Sequence, residues 1–354
     1  MAFSHTPLVK PHHILSRPDF FLHGFNARTK TFDFLKTSED RLTNLAFIDG
    51  RYNISLDDAL YQVKYDEMQQ HGEPIEEPEP LRFIFHIGFC GSTLLANALG
   101  HISDKVLCYK EPQVLIDFAE GAPHLHSSAP DYHDWQRNLA LSLNQLSKKF
   151  LPTQAAVIKP SNWVNSILPD LVKSGQSVRA AFISMPLDDF LVAIFRGGRE
   201  RIGFIYRLRQ HLLCALPEYE KLVEEIDHSP DDILLQAGKT AVIVYLMQHQ
   251  LFEQALRIMP KANCLMVDYQ TITSAPQTTL HQVVKTLQLD TNMQDIKLAI
   301  AHSFSRHAKD QSYRYSVPQQ AEINQRVVDS YSSVIDQVLL WCNGLYETNK
   351  IKIA

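Results

Sequence analysis

The chain is short of everything that would send it out of the cell or into a bilayer. Its longest purely apolar run, Ala241 to Met247, is far below the ~20 residues that span a membrane. The opening Met-Ala-Phe-Ser-His-Thr-Pro carries no basic segment followed by an apolar stretch, so no secretory signal is expected. Only five cysteines occur (Cys90, Cys108, Cys214, Cys264, Cys342), scattered and without a CxxC pair, which argues against a disulfide frame or zinc knuckle and for free thiols in a reducing cytoplasm. There is no excess of positive charge either. The 34 Lys+Arg against 39 Asp+Glu leave −5, so bulk attraction to nucleic acid or anionic lipid is excluded and any anion site must be local. No internal repeat and no low-complexity tract is present. With 354 residues, 45% hydrophobic and 21% charged, the chain can bury a large core.

Among the residues that are present, the segment His71–Pro80 stands out. It holds three prolines and four acids, which suit neither a helix interior nor a central strand. It separates an N-terminal appendage with its acidic, Pro-rich linker (1–80) from a larger domain (81–354). Within the appendage, Leu45–Asp49 reads as a strand, and Ser55 as the cap of a helix running through Tyr65.

Past the linker, five short apolar runs each precede a helical pattern: Leu81–Ile87, Lys105–Tyr109, Ala155–Lys159, Val178–Ser184 and Cys264–Asp268. Near-continuous apolar character suits strands covered on both faces. Trp135/Leu139/Leu143/Leu146 and Leu187/Leu191/Ile194 repeat at helical spacing. A long buried helix is expected over about Asp232 to Ile258, and an amphipathic one from Val317 to Tyr346. The pattern predicts a three-layer α/β domain with a five-stranded parallel sheet and helices on both faces.

Between the first of these strands and its helix lies Gly88-Phe89-Cys90-Gly91-Ser92-Thr93. Glycines allow positive φ and close backbone approach, and the free amides and dipole of a helix start favour a phosphate. The loop is too short for G-x-x-x-x-G-K-[ST], and Ser92 stands where that motif has lysine. Gly238-Lys239-Thr240 does not supply the motif, having Ile233 in place of its first glycine and no preceding strand. Cys90 reads as a small residue tolerated beside a ligand rather than a reactive thiol. The sixteen histidines show no H-x-x-x-H or HExxH pair, so no metal is expected.

The run G-x-x-G-S-T-L-L after an apolar strand resembles the 5′-phosphosulfate loop of sulfotransferases that use 3′-phosphoadenosine 5′-phosphosulfate (PAPS). Tyr109-Lys-Glu-Pro112 resembles the [KR]-E-P element of bacterial members. Lys159-Pro-Ser161 sits where cytosolic members carry a Lys-x-His strand end, and Ser184-Met-Pro-Leu-Asp resembles their strand–Pro–helix element for the 3′-phosphate. The resemblance covers Leu81 to Arg201 well and the remainder loosely. This chain departs from the cytosolic pattern at Phe89 and Cys90 (a loop lysine there), Ser184 (an arginine), Val192 (a serine) and Ser161 (the histidine).

The resemblance implies a P-loop sulfotransferase-like fold and transfer of a sulfuryl group from PAPS to a hydroxyl or amine of a small metabolite. Gly88, Phe89, Cys90, Gly91, Ser92 and Thr93 would hold the phosphosulfate. Lys159, at the carboxyl edge of a central strand, would stabilise charge in the transition state, with Lys110 a second cation. Glu111 would serve as general base, and Ser161 would assist by hydrogen bonding. For the remaining phosphate, the cluster Arg196, Arg199 and Arg201 competes with a late basic loop carrying Arg306 and Lys309. The alternatives are a nucleotide-dependent phosphotransferase or NTPase, and a non-catalytic nucleotide-binding protein on the same scaffold. The expected partner is a small-molecule acceptor, with no nucleic acid and no membrane. The location is cytoplasmic, and a homodimer is compatible with the sequence.

Overall fold

The structure is a computed structural model and describes residues 9–51, 59–72, 79–122, 130–174, 176–304 and 317–347. Two sheets organise it. The first is an antiparallel meander of β1 (Phe20–Asn26), β2 (Thr31–Lys36) and β3 (Leu60–Lys64), in that order. The second has five parallel strands: β4 (Leu81–His86), β5 (Val106–Lys110), β6 (Ala155–Lys159), β7 (Val178–Ser184) and β8 (Cys264–Asp268), ordered β5-β6-β4-β7-β8.

All five strands coincide with the apolar runs, to within a residue or two. The central β4 is buried at all six positions, as a strand covered on both faces must be, and β8 at the edge alternates. The α/β class, the parallel sheet and its flanking helices are as the sequence predicts. So are the long helices: Ile233–Ile258, capped by the Asp232 carboxylate, and Val317–Glu347. Gly238 lets the two pack closely, since a Cβ there would stand 2.5 Å from Val338 Cγ2. Lys239 is an ordinary residue of the first, paired with Asp231 and lying over the Trp341 ring.

The N-terminal segment differs from expectation. Leu45–Asp49 is not a strand; Glu39–Asn44 is a helix, and the chain after it makes two isolated backbone bonds, Ile48 N to Lys110 O and Gln113 N to Ile48 O. Tyr61–Lys64, read as the end of a helix, forms β3, because its backbone pairs with β2 from Leu60 to Lys64. Such long-range pairing overrides a local helical pattern. The earlier part of that reading, residues 52–58, lies outside the described residues.

This small sheet packs directly on the larger unit. A bulge between Leu22 and Gly24 turns β1 so that Phe25 stacks on Phe118 at 4.1 Å, and the Phe25 amide donates to Asp117. Asp117 is largely buried, and burial pushes its carboxyl up to about 6 against the pull of its bonds from Gln113 and Phe25.

Candidate functional site

The carboxyl ends of β4, β5, β6 and β7 converge on the segment Gly88–Thr93, which leads into the helix Ser92–Gly100. Three of its backbones lie at positive φ: Gly88 at 89°, Phe89 at 58° and Gly91 at 72°. Side chains are excluded at both glycines. A Cβ on Gly88 would sit 2.9 Å from Asn162 Nδ2, and one on Gly91 would sit 2.6 Å from the Tyr269 ring.

The Gly88 amide is already used, donating to His86 Nδ1 at 3.0 Å. Among the described residues, the amides of Phe89, Gly91 and Thr93 have no protein acceptor, while those of Cys90 and Ser92 face the Cys90 sulfur. Ser92 and Thr93 are 4% and 7% exposed, and neither hydroxyl has a hydrogen-bond partner among the described residues. Cys90 is fully buried, its thiol pointing at Ile183 O, and burial pushes it up to about 11. Its burial suits a packing residue and not a reactive thiol.

An amide network holds the loop's entry. Gln248 Nε2 and Asn162 Nδ2 both donate to Ile87 O, Asn165 Nδ2 donates to His86 O, and Gln248 Oε1 accepts from both asparagines. Carbonyls left over where β4 ends are thereby satisfied. The strand end cannot move without breaking several buried bonds at once.

Beside the loop runs a line of charge. Lys159, wholly buried at the end of β6, places Nζ 2.5 Å from Glu111 Oε1 and 3.0 Å from His86 Nε2. The other Glu111 oxygen accepts from Arg51, which also grips Asp49 and lies over the Phe47 ring at 3.5 Å. Burial alone would raise the Glu111 carboxyl, but Lys159 and Arg51 outweigh it and hold it below the usual carboxylate range. Glu111 itself sits at φ 57°. On His86, the Gly88 amide claims Nδ1, so the ring proton is assigned to Nε2, which donates to Pro160 O at 3.1 Å.

The structure brings some of the sequence-predicted residues together and leaves others aside. Glu111, Lys159 and the loop are neighbours. Lys110 is not brought to the loop's charge line. It is 2% exposed, and its amine donates to Thr43 O and Asn97 Oδ1, anchoring the helix Glu39–Asn44. Ser161 caps the short 3₁₀ helix Asn162–Ile167 with its oxygen, accepting from the Trp163 amide. Arg199 is exposed on the helix Gly198–Leu213, and Arg196 donates to Asn324 of the C-terminal helix. The arginine that reaches the loop is Arg201, whose guanidinium lies 4.5 Å over the Phe89 ring. Arg306 and Lys309 lie outside the described residues.

Sequence reasoning missed His86, Arg51 and His249, and it offered Arg201 only as one of three clustered arginines. His86 had a signal, as the polar residue ending an otherwise apolar strand beside a glycine loop. His249 had none. It comes from the Ile233–Ile258 helix to share a hydrogen bond with Ser184 at 2.7 Å at the end of β7, and burial pushes its imidazole down to about 4. No group of three or more His, Cys, Asp or Glu among the described residues is placed to hold a metal, and no helix among them is long and apolar enough to cross a membrane.

No family model and no curated protein matches the chain. Solved structures of similar shape include the sulfotransferase domain from the curacin biosynthetic pathway, with 12% identity over 76% of this chain and 99% of that one at a TM-score of 0.40. They also include the sulfotransferase domain of the Synechococcus PCC 7002 olefin synthase (14%, 79% and 98%, TM-score 0.40). A third is retinol dehydratase in complex with androsterone and the inactive cofactor PAP (12%, 90% and 96%, TM-score 0.35).

Proposed function

We propose that the chain is a sulfotransferase that moves a sulfuryl group from PAPS to a hydroxyl or amine of a small metabolite. The observation that carries this reading is the loop Gly88–Thr93. Two glycines that admit no side chain bracket amides and two nearly buried hydroxyls without protein partners, at the carboxyl edge of the central strand. That donor set fits the oxygens of a phosphosulfate, with its charge left for nearby cations. Lys159 and Glu111, at the ends of the next two strands, fit the two other demands of an in-line transfer: positive charge near the transferring group and a base for the acceptor's proton. As the new S–O bond (S–N for an amine) forms and the sulfur's bridge to the 5′-phosphate breaks, the acceptor's proton passes to the ionised Glu111 carboxylate and the products are the sulfated acceptor and PAP.

A specific observation favours a second reading, a nucleotide-binding protein without catalysis. Lys159 is 0% exposed and its amine is already committed to Glu111. Thermal shift with PAP, PAPS, GTP, and ATP with and without Mg²⁺, followed by radiolabelled sulfate transfer over a broad acceptor panel, separates the readings. A rise selective for PAP together with turnover supports the sulfotransferase. PAP binding with no turnover supports the second reading, and an ATP rise that needs Mg²⁺ overturns both in favour of a phosphotransferase or NTPase.

A further inference from the structure

The glycine loop has no basic side chain of its own, since Phe89 and Cys90 fill its middle. Amides and hydroxyls alone would leave a phosphosulfate with much of its charge unmet. We infer that Arg201 supplies the missing cation, reaching the 5′-phosphosulfate end of the nucleotide from the helix Gly198–Leu213. This rests on the sulfotransferase reading and deepens it by naming the residue that replaces a loop lysine.

Three observations place Arg201 there. Its guanidinium lies 4.5 Å over the ring of Phe89, a residue of the loop itself, and Phe204 meets that ring in a T-shaped contact at 6.0 Å. Its stem folds back across Gly197, where a Cβ would stand 2.0 Å from Arg201 Cδ, so the helix break at Gly197–Gly198 is shaped to let the side chain turn toward the loop. One of its nitrogens is fixed by donating to Ala193 O. The guanidinium is therefore held in place before any ligand arrives, and the fork keeps further N–H donors for a phosphate or sulfate oxygen.

The charge balance around it points the same way. Arg51, Arg82 and Arg209 each have a carboxylate partner. Arg201 has none among the described residues, although it is partly buried and near a second guanidinium, that of Arg196. Burial and Arg196 both pull its pKa down, to about 10, so it remains charged near neutral pH. A half-buried cation without a counter-ion is costly unless an anion visits it. Ser92 and Thr93, more than nine-tenths buried with unpartnered hydroxyls, are the complementary donors. Stacking on Phe89 also explains why an aromatic residue at positive φ occupies the loop, where a smaller residue would leave the guanidinium unsupported.

The test is calorimetric titration with two probes, PAP and adenosine 5′-phosphosulfate, the second of which lacks a 3′-phosphate. Wild type, R201M, R201K and the exposed control R257A, on the helix Ile233–Ile258, are compared, with a thermal melt of each. R201M should weaken both probes by tenfold or more, R201K should recover part of the loss, and R257A should match wild type. If R201M melts early, R201K carries the comparison, because it keeps charge and stem but loses the fork. A twofold or smaller effect in R201M overturns the inference. So does a loss confined to PAP, which would place Arg201 on the 3′-phosphate, or a wild type that binds PAP but not adenosine 5′-phosphosulfate. Wild-type protein that binds neither probe overturns the sulfotransferase reading itself.

Discussion

Replacing Lys159 by Met tests the charge line beside the loop. The ammonium is wholly buried and lies 2.5 Å from a carboxylate that is itself 7% exposed. Removing one partner of such a pair costs ~3–5 kcal/mol, because the other is left buried and uncompensated. Arg51 still holds the second Glu111 oxygen, but it is half exposed and its field is screened, so the loss for K159M should fall near the lower end, about 3 kcal/mol. Glu111→Gln should cost at least as much, since it strands the deeper charge. The double variant should lose less than the sum of the two, with a coupling of ~1–3 kcal/mol. Urea unfolding at pH 7 measures all three through the midpoint, with the slope unchanged. The sign with pH is also fixed. Lys159 and Arg51 hold the Glu111 carboxyl down in the folded state, so the pair stabilises above the ordinary carboxylate value of 4.5 and its contribution fades as pH falls through the lower folded value. The gap between wild type and K159M should therefore close on acidification. A K159M loss under 1 kcal/mol at pH 7, or a gap that widens toward pH 3, would refute the reasoning.

Asp117 should behave in the opposite sense. Its folded value is raised from 3.8 to about 6, so the folded state holds the extra proton and stability falls as pH rises through that window. Relative to wild type, Asp117→Asn should gain about 2–3 kcal/mol between pH 4 and pH 7, and parallel urea curves at the two pH values would contradict this. Gly88→Ala should cost ~1–3 kcal/mol, from a φ of 89° and the clash with Asn162, and should abolish PAP binding; an alanine variant with normal calorimetric affinity would show that the loop does not need this backbone. Gln248→Leu should destabilise by ~1–3 kcal/mol, because it removes one donor to Ile87 O and the acceptor shared by Asn162 and Asn165. Hydrogen exchange at the end of β4 should speed up in that variant, and unchanged protection would argue against the network.

What the sequence disclosed and what it hid follow from the range of the forces involved. The five parallel strands were legible because each is an uninterrupted apolar run of strand length, which only two-sided burial explains. Gly88 and Gly91 were legible because their function is local: positive φ and close approach are properties of the residue. Pairing of Lys159 with Glu111 was foreseeable, since both end adjacent strands. Arg51 and His249 were not. Each meets its partner across 60 and 65 positions of chain respectively, from elements whose packing no local period encodes. The N-terminal segment misled for the same reason. The residues of β3 have a helical spacing, and only the presence of β2 alongside makes them a strand.

The antiparallel sheet at the beginning of the chain has a consequence for how the molecule can be divided. A fragment begun at Leu81 would keep every strand of the larger sheet, yet it would surrender the guanidinium on Glu111 and the aromatic lid on Phe118. The larger half, so trimmed, would be complete in outline and short of its own ballast: what looks like a preface is a structural component.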